Sequence, residues 1–527
     1  MMTLILGLLN DIPLRDVAGR YAPMADAFAS GNFLYAFHIR IPPLHTMTSG
    51  IIAFITGLDG FSACKTAASI WYFAGMFVFY KLIQTVYPED KRVQVLCVAL
   101  YAVFPYTCQM AYCGLREPIK TFVFTASALN LIKIKNDPEN IYNYILLGML
   151  CSVASITRSD MMFSSLFLLF AGTYFECRHK KFPKLSIISY IISQALVIPN
   201  VCINYFMFKS AMPDFRLSAA YQRYIGGVPD PRNYIASLLA VYLVTFAAAW
   251  IFEKITRKIK AEYFVFSGIF IIISSNIITA ARINFNFDIT SKFLESVMEG
   301  FHSFFGIISA IYLIIRYKNR KLTSDEAVLF TLVFINAFIA ILSIQFYDKS
   351  LYVSSRYLHP VLPLFFGFFI CALKKMHSFI NEKFSPKWAK VFLICAAVYI
   401  PGDMIFHSAQ PIIRNFTRKK SIIQRRKVFK ITEIIKQDFK EKKENTPQVF
   451  NSDPLFYTAN KHPKVYVKGD SKISVAAYLA GGSLTYSPKD ADYIITEKND
   501  MPEKKNLILL GCAEGLKNTF NLWKVEK

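Results

Sequence analysis

Apolar runs long enough to cross a bilayer recur from Lys65 to His407, parted by short polar connections. A helix needs roughly 20 apolar residues to span the hydrocarbon core. In lipid, the backbone satisfies its own polar groups only in helices or closed barrels. Barrel strands alternate apolar and polar positions, whereas these runs are longer and continuously apolar, so helices are predicted. The expected spans are 66–86, 93–112, 117–135, 141–156, 161–176, 185–206, 234–252, 263–281, 300–316, 325–346, 358–375 and 389–407. The run at 1–10 (MMTLILGLLN) adds a stub, read as part of a first membrane helix or as an unusually short one. No basic n-region or small-residue cleavage site marks it as a cleavable signal. The run at 41–58 opens on two prolines and is rich in Gly and Thr, so it reads as an interfacial or re-entrant helix.

Charge then orients these helices. The formal net charge is +24, and cytoplasmic loops of membrane proteins collect Lys and Arg. With the stub running outward, the inward connections hold Lys91, Arg92, Lys133, Lys135, Arg178, Lys180 and Lys184. Further along they hold Lys254, Arg257, Arg316, Lys318, Lys321, Lys374, Lys375, Lys383, Lys387 and Lys390. Counting 41–58 as a span would invert every later loop. The N-terminus is therefore expected inside and the C-terminus outside. A nucleic-acid partner is not expected, because most aromatics lie in the apolar runs and not in a basic soluble domain. The ten Cys are scattered without a metal or disulfide spacing.

After the last span the pattern changes twice. Residues 412–443 carry twelve Lys and Arg, and Ile422, Ile423, Val428, Phe429, Ile431, Ile434, Ile435 and Phe439 recur at helical spacing. A basic amphipathic helix lying on anionic headgroups is expected there. Beyond 447, short apolar strands at Gln448–Phe450, Val465–Val467, Tyr493–Thr496 and Leu507–Leu510 alternate with turns such as Gly481-Gly482 and Ser487-Pro488. The expected fold is thus an all-α polytopic membrane domain over 1–408, of about 13 helices. A linker helix over 409–446 and a small α/β extracytoplasmic domain over 447–527 follow. The first extracytoplasmic loop is 11–65.

That first loop carries the most chemistry. Asp16 sits between Arg15 and Arg20, and Tyr21, Ala25, Phe28 and Ala29 then recur at helical spacing until Gly31 stops the helix. A carboxylate held beside cations stays ionised and suits a general base. Equally, Asp16 reads as an N-cap or a surface salt bridge. His38 and Arg40 precede the Pro pair as phosphate ligands or interface anchors.

Arg15-Asp16, Tyr21, Met24-Ala25, Phe28 and Gly31, followed by Pro42-Pro43-Leu44, resemble the first outward loop of the GT-C glycosyltransferases. That family includes the protein O-mannosyltransferases and the lipid A aminoarabinose transferases. Further resemblances are Arg116-Glu117-Pro118 at a helix end, the turn Arg158-Ser159-Asp160, the helix start Arg356-Tyr357 with Pro360 and Pro363, and the tail from Val449. The resemblance implies transfer of a sugar from a polyprenyl-phosphate carrier, with Asp16 as the catalytic base. It also implies Arg116, Arg158 and Arg356 as candidates to bind the donor phosphate, which guanidinium groups hold in a bidentate way. Arg15, Tyr21, His38, Arg40, Glu117, Asp160 and Tyr357 are further active-site candidates. Many members carry a second acidic residue after the catalytic Asp. Here Val17 stands in that place, so a divalent metal stays open and no other cofactor is implied. The expected partners are a polyprenyl-phosphate-linked sugar, an acceptor that is a lipid, a glycan or a protein, and membrane lipids. The expected place is the cell membrane, multi-pass. A transporter or flippase and a polymerase of lipid-linked glycans are the alternatives. The first calls for internal repeats, and the second for a large loop late in the chain.

Overall fold

The computed structural model describes residues 2–37, 41–180, 182–208, 231–256, 302–319, 321–345, 359–440, 463–468, 473–485, 488–497, 507–513 and 519–525. The chain divides into two compact units. One holds residues 1–69, 109–115 and 407–527, and the other holds 70–108 and 116–406. The first loop and the tail, remote in sequence, thus belong to one unit. The expected span 263–281 and the expected strand Gln448–Phe450 lie outside the described residues.

In the first unit a stub helix, Met2–Leu9, ends where the Lys65 ammonium donates to the Gly7 and Asn10 carbonyls at 2.9 and 3.2 Å. A cation on the last carbonyls suits a helix C-terminus. The predicted loop helix is Ala22–Ala29, and Gly31 beyond it takes φ +91, a conformation open to glycine at little cost. Leu44–Thr56 is a helix of 13 residues, roughly 20 Å long, shorter than a hydrocarbon core. Val17, Tyr21, Ala22, Met24, Ala25, Phe61, Cys64 and Leu115 share one core.

The tail of this unit is a five-stranded sheet in the order β2-β1-β3-β5-β4. The strands are β1 Lys464–Val467, β2 Ser483–Thr485, β3 Tyr493–Glu497, β4 Leu507–Ala513 and β5 Phe520–Val525. β1 pairs in parallel with β2 and β3, and β5 pairs antiparallel with β3 and β4. One face packs on the linker helix Lys419–Lys440 through Val428, Ile431 and Ile435. The sheet thus covers Val428, Ile431 and Ile435 of the amphipathic pattern, while Ile422 and Phe429 lie outside this core. Burial pushes the Tyr493 phenol up, as does Asp438, which accepts from it; Asp438 also holds Lys524 at 2.6 Å.

The second unit is helical. Among the described residues, Gly60–Val86, Lys184–Met207, Pro231–Ile255, Pro360–Lys383 and Pro386–Thr417 are long and apolar enough to cross a membrane; the first and last of these also enter the first unit. The expected span 93–112 is two helices, Lys91–Val103 and Pro105–Tyr112, bent by 45°. Pro105 has no N–H to donate to the carbonyl of Tyr101, which accepts from the Phe104 N–H at 3.3 Å, and the Tyr72 hydroxyl donates to the Tyr101 and Ala102 carbonyls at 3.2 and 2.8 Å. Glu117–Asn136 is helical over 20 residues but carries Glu117, Lys120, Lys133 and Lys135, and Ile141–Ser155 has only 15 residues.

Candidate functional site

Asp16 stands at the head of a π-helical turn, Val17–Tyr21. Such turns insert an extra residue and recur at functional sites. Burial of Val17, Ala18 and Tyr21 fixes the turn. The Asp16 side chain remains 35% exposed and accepts from Arg20 Nη1 at 3.3 Å. It makes no capping hydrogen bond, so the N-cap reading falls and the ion pair stands. A spacing of four residues suits an Asp–Arg pair on a helical turn. Arg15 is exposed beside it.

Tyr21 is buried, with its ring edge-on to His45 at 5.3 Å. His45 is also fully buried, and its Nε2 lies 3.0 Å from the Gly114 carbonyl. Sequence reasoning passed over His45, whose only signal was its place directly after the Pro-Pro-Leu run.

A second network braces the same loop. Asp26 Oδ1 accepts from the Gly60 N–H at 2.6 Å, and Oδ2 accepts from the Tyr478 hydroxyl at 3.1 Å. That hydroxyl in turn accepts from the Phe61 N–H at 3.1 Å. Burial, and next the Asp26 carboxylate, raise the Tyr478 phenol well above its ordinary value, so it remains a donor. A Cβ at position 60 would lie 2.1 Å from the Ala22 carbonyl oxygen, so only glycine fits there.

In the second unit, Arg116 sits at the N-cap position of the helix Glu117–Asn136. Glu117 Oε1 accepts from Arg158 Nη1 at 2.8 Å, with side chains 2% and 6% exposed. Arg158 holds an extended conformation just before the helix Ser159–His179. Two predicted residues 41 positions apart are therefore brought together at the starts of two helices. One turn along, Lys120 is buried with its ammonium 5.7 Å from the Phe124 ring centroid. Lys120 was missed; its signal was a lone cation inside an apolar run. Buried ionisable groups in such helices are costly and mark functional sites.

Asp160 begins the helix Ser159–His179, and its side chain lies outside the description. His38, Arg40, Arg356 and Tyr357 lie outside the described residues altogether. Among the described residues no three His, Cys, Asp or Glu side chains group as metal ligands.

No protein-family profile matches the sequence, and no curated protein matches it. Solved structures do. The oligosaccharyltransferase of Archaeoglobus fulgidus, in its apo crystal form, is 12% identical with a TM-score of 0.52, over 94% of this chain and 69% of that one. Its complex with zinc and sulfate gives 11% identity and a TM-score of 0.50, over 94% and 68%. ArnT from Cupriavidus metallidurans, bound to undecaprenyl phosphate, gives 10% identity and a TM-score of 0.49, over 99% and 96%. At such identities the likeness is one of fold.

Proposed function

We propose that this chain, which has the GT-C fold of membrane glycosyltransferases, moves a glycosyl group from a polyprenyl-phosphate carrier to an acceptor outside the cytosol. The observation that carries this reading is Asp16. It is a partly exposed carboxylate with no capping duty, on a rigid turn beside Arg20, in a chain that shares the fold of an oligosaccharyltransferase. In this reading Asp16 takes the proton of an acceptor hydroxyl. The acceptor oxygen then attacks the anomeric carbon, the bond from that carbon to the phosphate oxygen breaks, and polyprenyl phosphate leaves with the electron pair. Inversion at the anomeric carbon follows from a single displacement. Arg20 lies beside the Asp16 carboxylate as its counter-charge. Arg116 and Arg158, with Arg356, are the donors assigned to the leaving phosphate, since each guanidinium offers five N–H groups. Glu117 orients Arg158.

The test is glycolipid profiling of a strain lacking the gene, complemented with wild type or with Asp16→Asn. The deletion strain should lose one envelope sugar and accumulate a carrier-linked precursor, and only the wild-type gene should reverse both changes. Full reversal by Asp16→Asn would remove the catalytic assignment. An unchanged glycan and carrier profile in the deletion strain would remove the function.

A further inference from the structure

A cavity of about 470 Å³ opens beside the linker helix, lined by Asn415, Phe416, Ile422, Arg425, Arg426, Phe429, Lys430 and Glu433. Six of these lie on one face of the helix Lys419–Lys440, at the i, i+3, i+4 and i+7 spacing. That face points roughly 180° away from Val428, Ile431 and Ile435, which pack on the sheet. The helix thus has two built faces. The apolar one is spent on the sheet, and the other holds three cations, one acid and apolar side chains. Arg425 is fixed in the wall by ion pairing with Asp11 and by stacking over Phe416 and Phe429, at 4.6 and 5.4 Å from their centroids. Arg426 and Lys430 are exposed at the rim.

The opposite wall gives the depth. Asn415 and Phe416 lie in the last turn of the helix Pro386–Thr417, which has 32 residues and is mostly exposed along its apolar stretch. At 1.5 Å per residue it is about 48 Å long, against roughly 30 Å for a hydrocarbon core and 40–45 Å with headgroups. With Lys387 and Lys390 at one surface, Phe416 arrives at the headgroup layer of the other. A cationic cavity with aromatic and aliphatic walls at that level matches a phosphodiester joined to acyl chains.

We propose that this cavity binds the headgroup of an anionic phospholipid. The phosphate would lie against Arg425, Arg426 and Lys430, and the glycerol and upper chain against Phe416, Ile422 and Phe429. The site fixes the junction between the last membrane helix and the tail domain to the bilayer surface.

Full-length protein, delipidated in neutral detergent, is titrated calorimetrically at fixed ionic strength. The probes are dihexanoyl phosphatidylglycerol, dihexanoyl phosphatidylcholine and inorganic phosphate. Phosphatidylglycerol should bind one site, at least about tenfold tighter than either other probe. Arg426→Ala/Lys430→Ala should weaken it roughly 30-fold, from the attraction of each cation near an anionic surface. Lys436→Ala/Lys489→Ala, which removes two cations outside the lining, should change it less than about twofold. Phe416→Ala should weaken phosphatidylglycerol and leave inorganic phosphate unchanged. Equal losses in the two double variants would reduce the effect to bulk charge and overturn the site. Equal affinity for inorganic phosphate would make it a free-phosphate site and overturn the lipid assignment. A thermal midpoint for each variant without lipid separates loss of binding from loss of fold.

Discussion

Glu117 and Arg158 show what a charge costs in an apolar unit and how the cost is contained. Each is nearly inaccessible, and each would be prohibitive alone. Glu117→Gln should take this carboxylate from the buried Arg158 guanidinium and destabilise by about 3–5 kcal/mol, the scale for removing one partner of a buried pair. Glu117→Gln/Arg158→Met should recover most of that loss, because no charge is then stranded. Thermal unfolding in detergent reads both, and a double variant no more stable than the single one would refute the pairing as the cause. Asp16 behaves differently, since it is partly exposed and its pair with Arg20 contributes little to stability. Asp16→Asn should therefore keep the unfolding midpoint and lower transfer by about 10²–10⁴-fold, the usual contribution of a general base. These residues were legible in the sequence because they stand in motifs that resemble those of the GT-C glycosyltransferases. His45 and Lys120 were not, since their significance lies in what they touch. Tyr21 and Gly114 meet His45 only after the chain has turned back on itself.

At the scale of elements, periodicity located the helices but not their breaks or their partners. The loop helix and its stop at Gly31 followed from spacing and from one residue's conformational freedom. The π-helical turn before it did not, because an extra residue in a turn leaves no mark on an apolar period. β5 was missed because Phe520–Val525 (FNLWKV) breaks strict alternation, its buried residues being Phe520, Leu522 and Val525. The bend at Pro105 depends on a hydroxyl from another helix. Tyr72→Phe should strand the Ala102 carbonyl, the Tyr101 carbonyl keeping the Phe104 N–H, and cost roughly 0.6–1.7 kcal/mol, the range for interhelical hydrogen bonds in membranes. Unfolding of the variant in bicelles measures this, and a change below about 0.3 kcal/mol would mean that the bend satisfies itself by other means.

At the scale of the whole chain, ion pairs test the order of crossings independently of any count of Lys and Arg. Within the second unit, Asp90 pairs with Lys374, Lys135 with Asp325, Arg316 with Glu326 and Lys180 with Glu139. The Asp90–Lys374, Lys135–Asp325 and Lys180–Glu139 pairs each join two connections that the alternation of spans assigns to the same side, whereas Arg316 and Glu326 flank a single connection. Glu117 and Arg158 join two connections assigned to the other side. These pairs bring together, among the described residues, connections that the alternation expects to share a side. A miscounted span would have put partners such as Asp90 and Lys374 about 30 Å apart across a bilayer. Single cysteines at Glu89, Glu139, Asn319 and Glu382, all exposed, should thus react with a membrane-impermeant maleimide only after the cytosolic side is opened. Cysteines at Arg15 and Lys489, in a background without the ten native Cys, should react in intact cells. The two groups bear on different premises. Opposite accessibility of Glu89 and Glu382 would contradict the packing that pairs their neighbours. Uniform inversion of both groups would leave that packing intact and move Asp16 to the cytosol, away from the face at which the proposed donor is used.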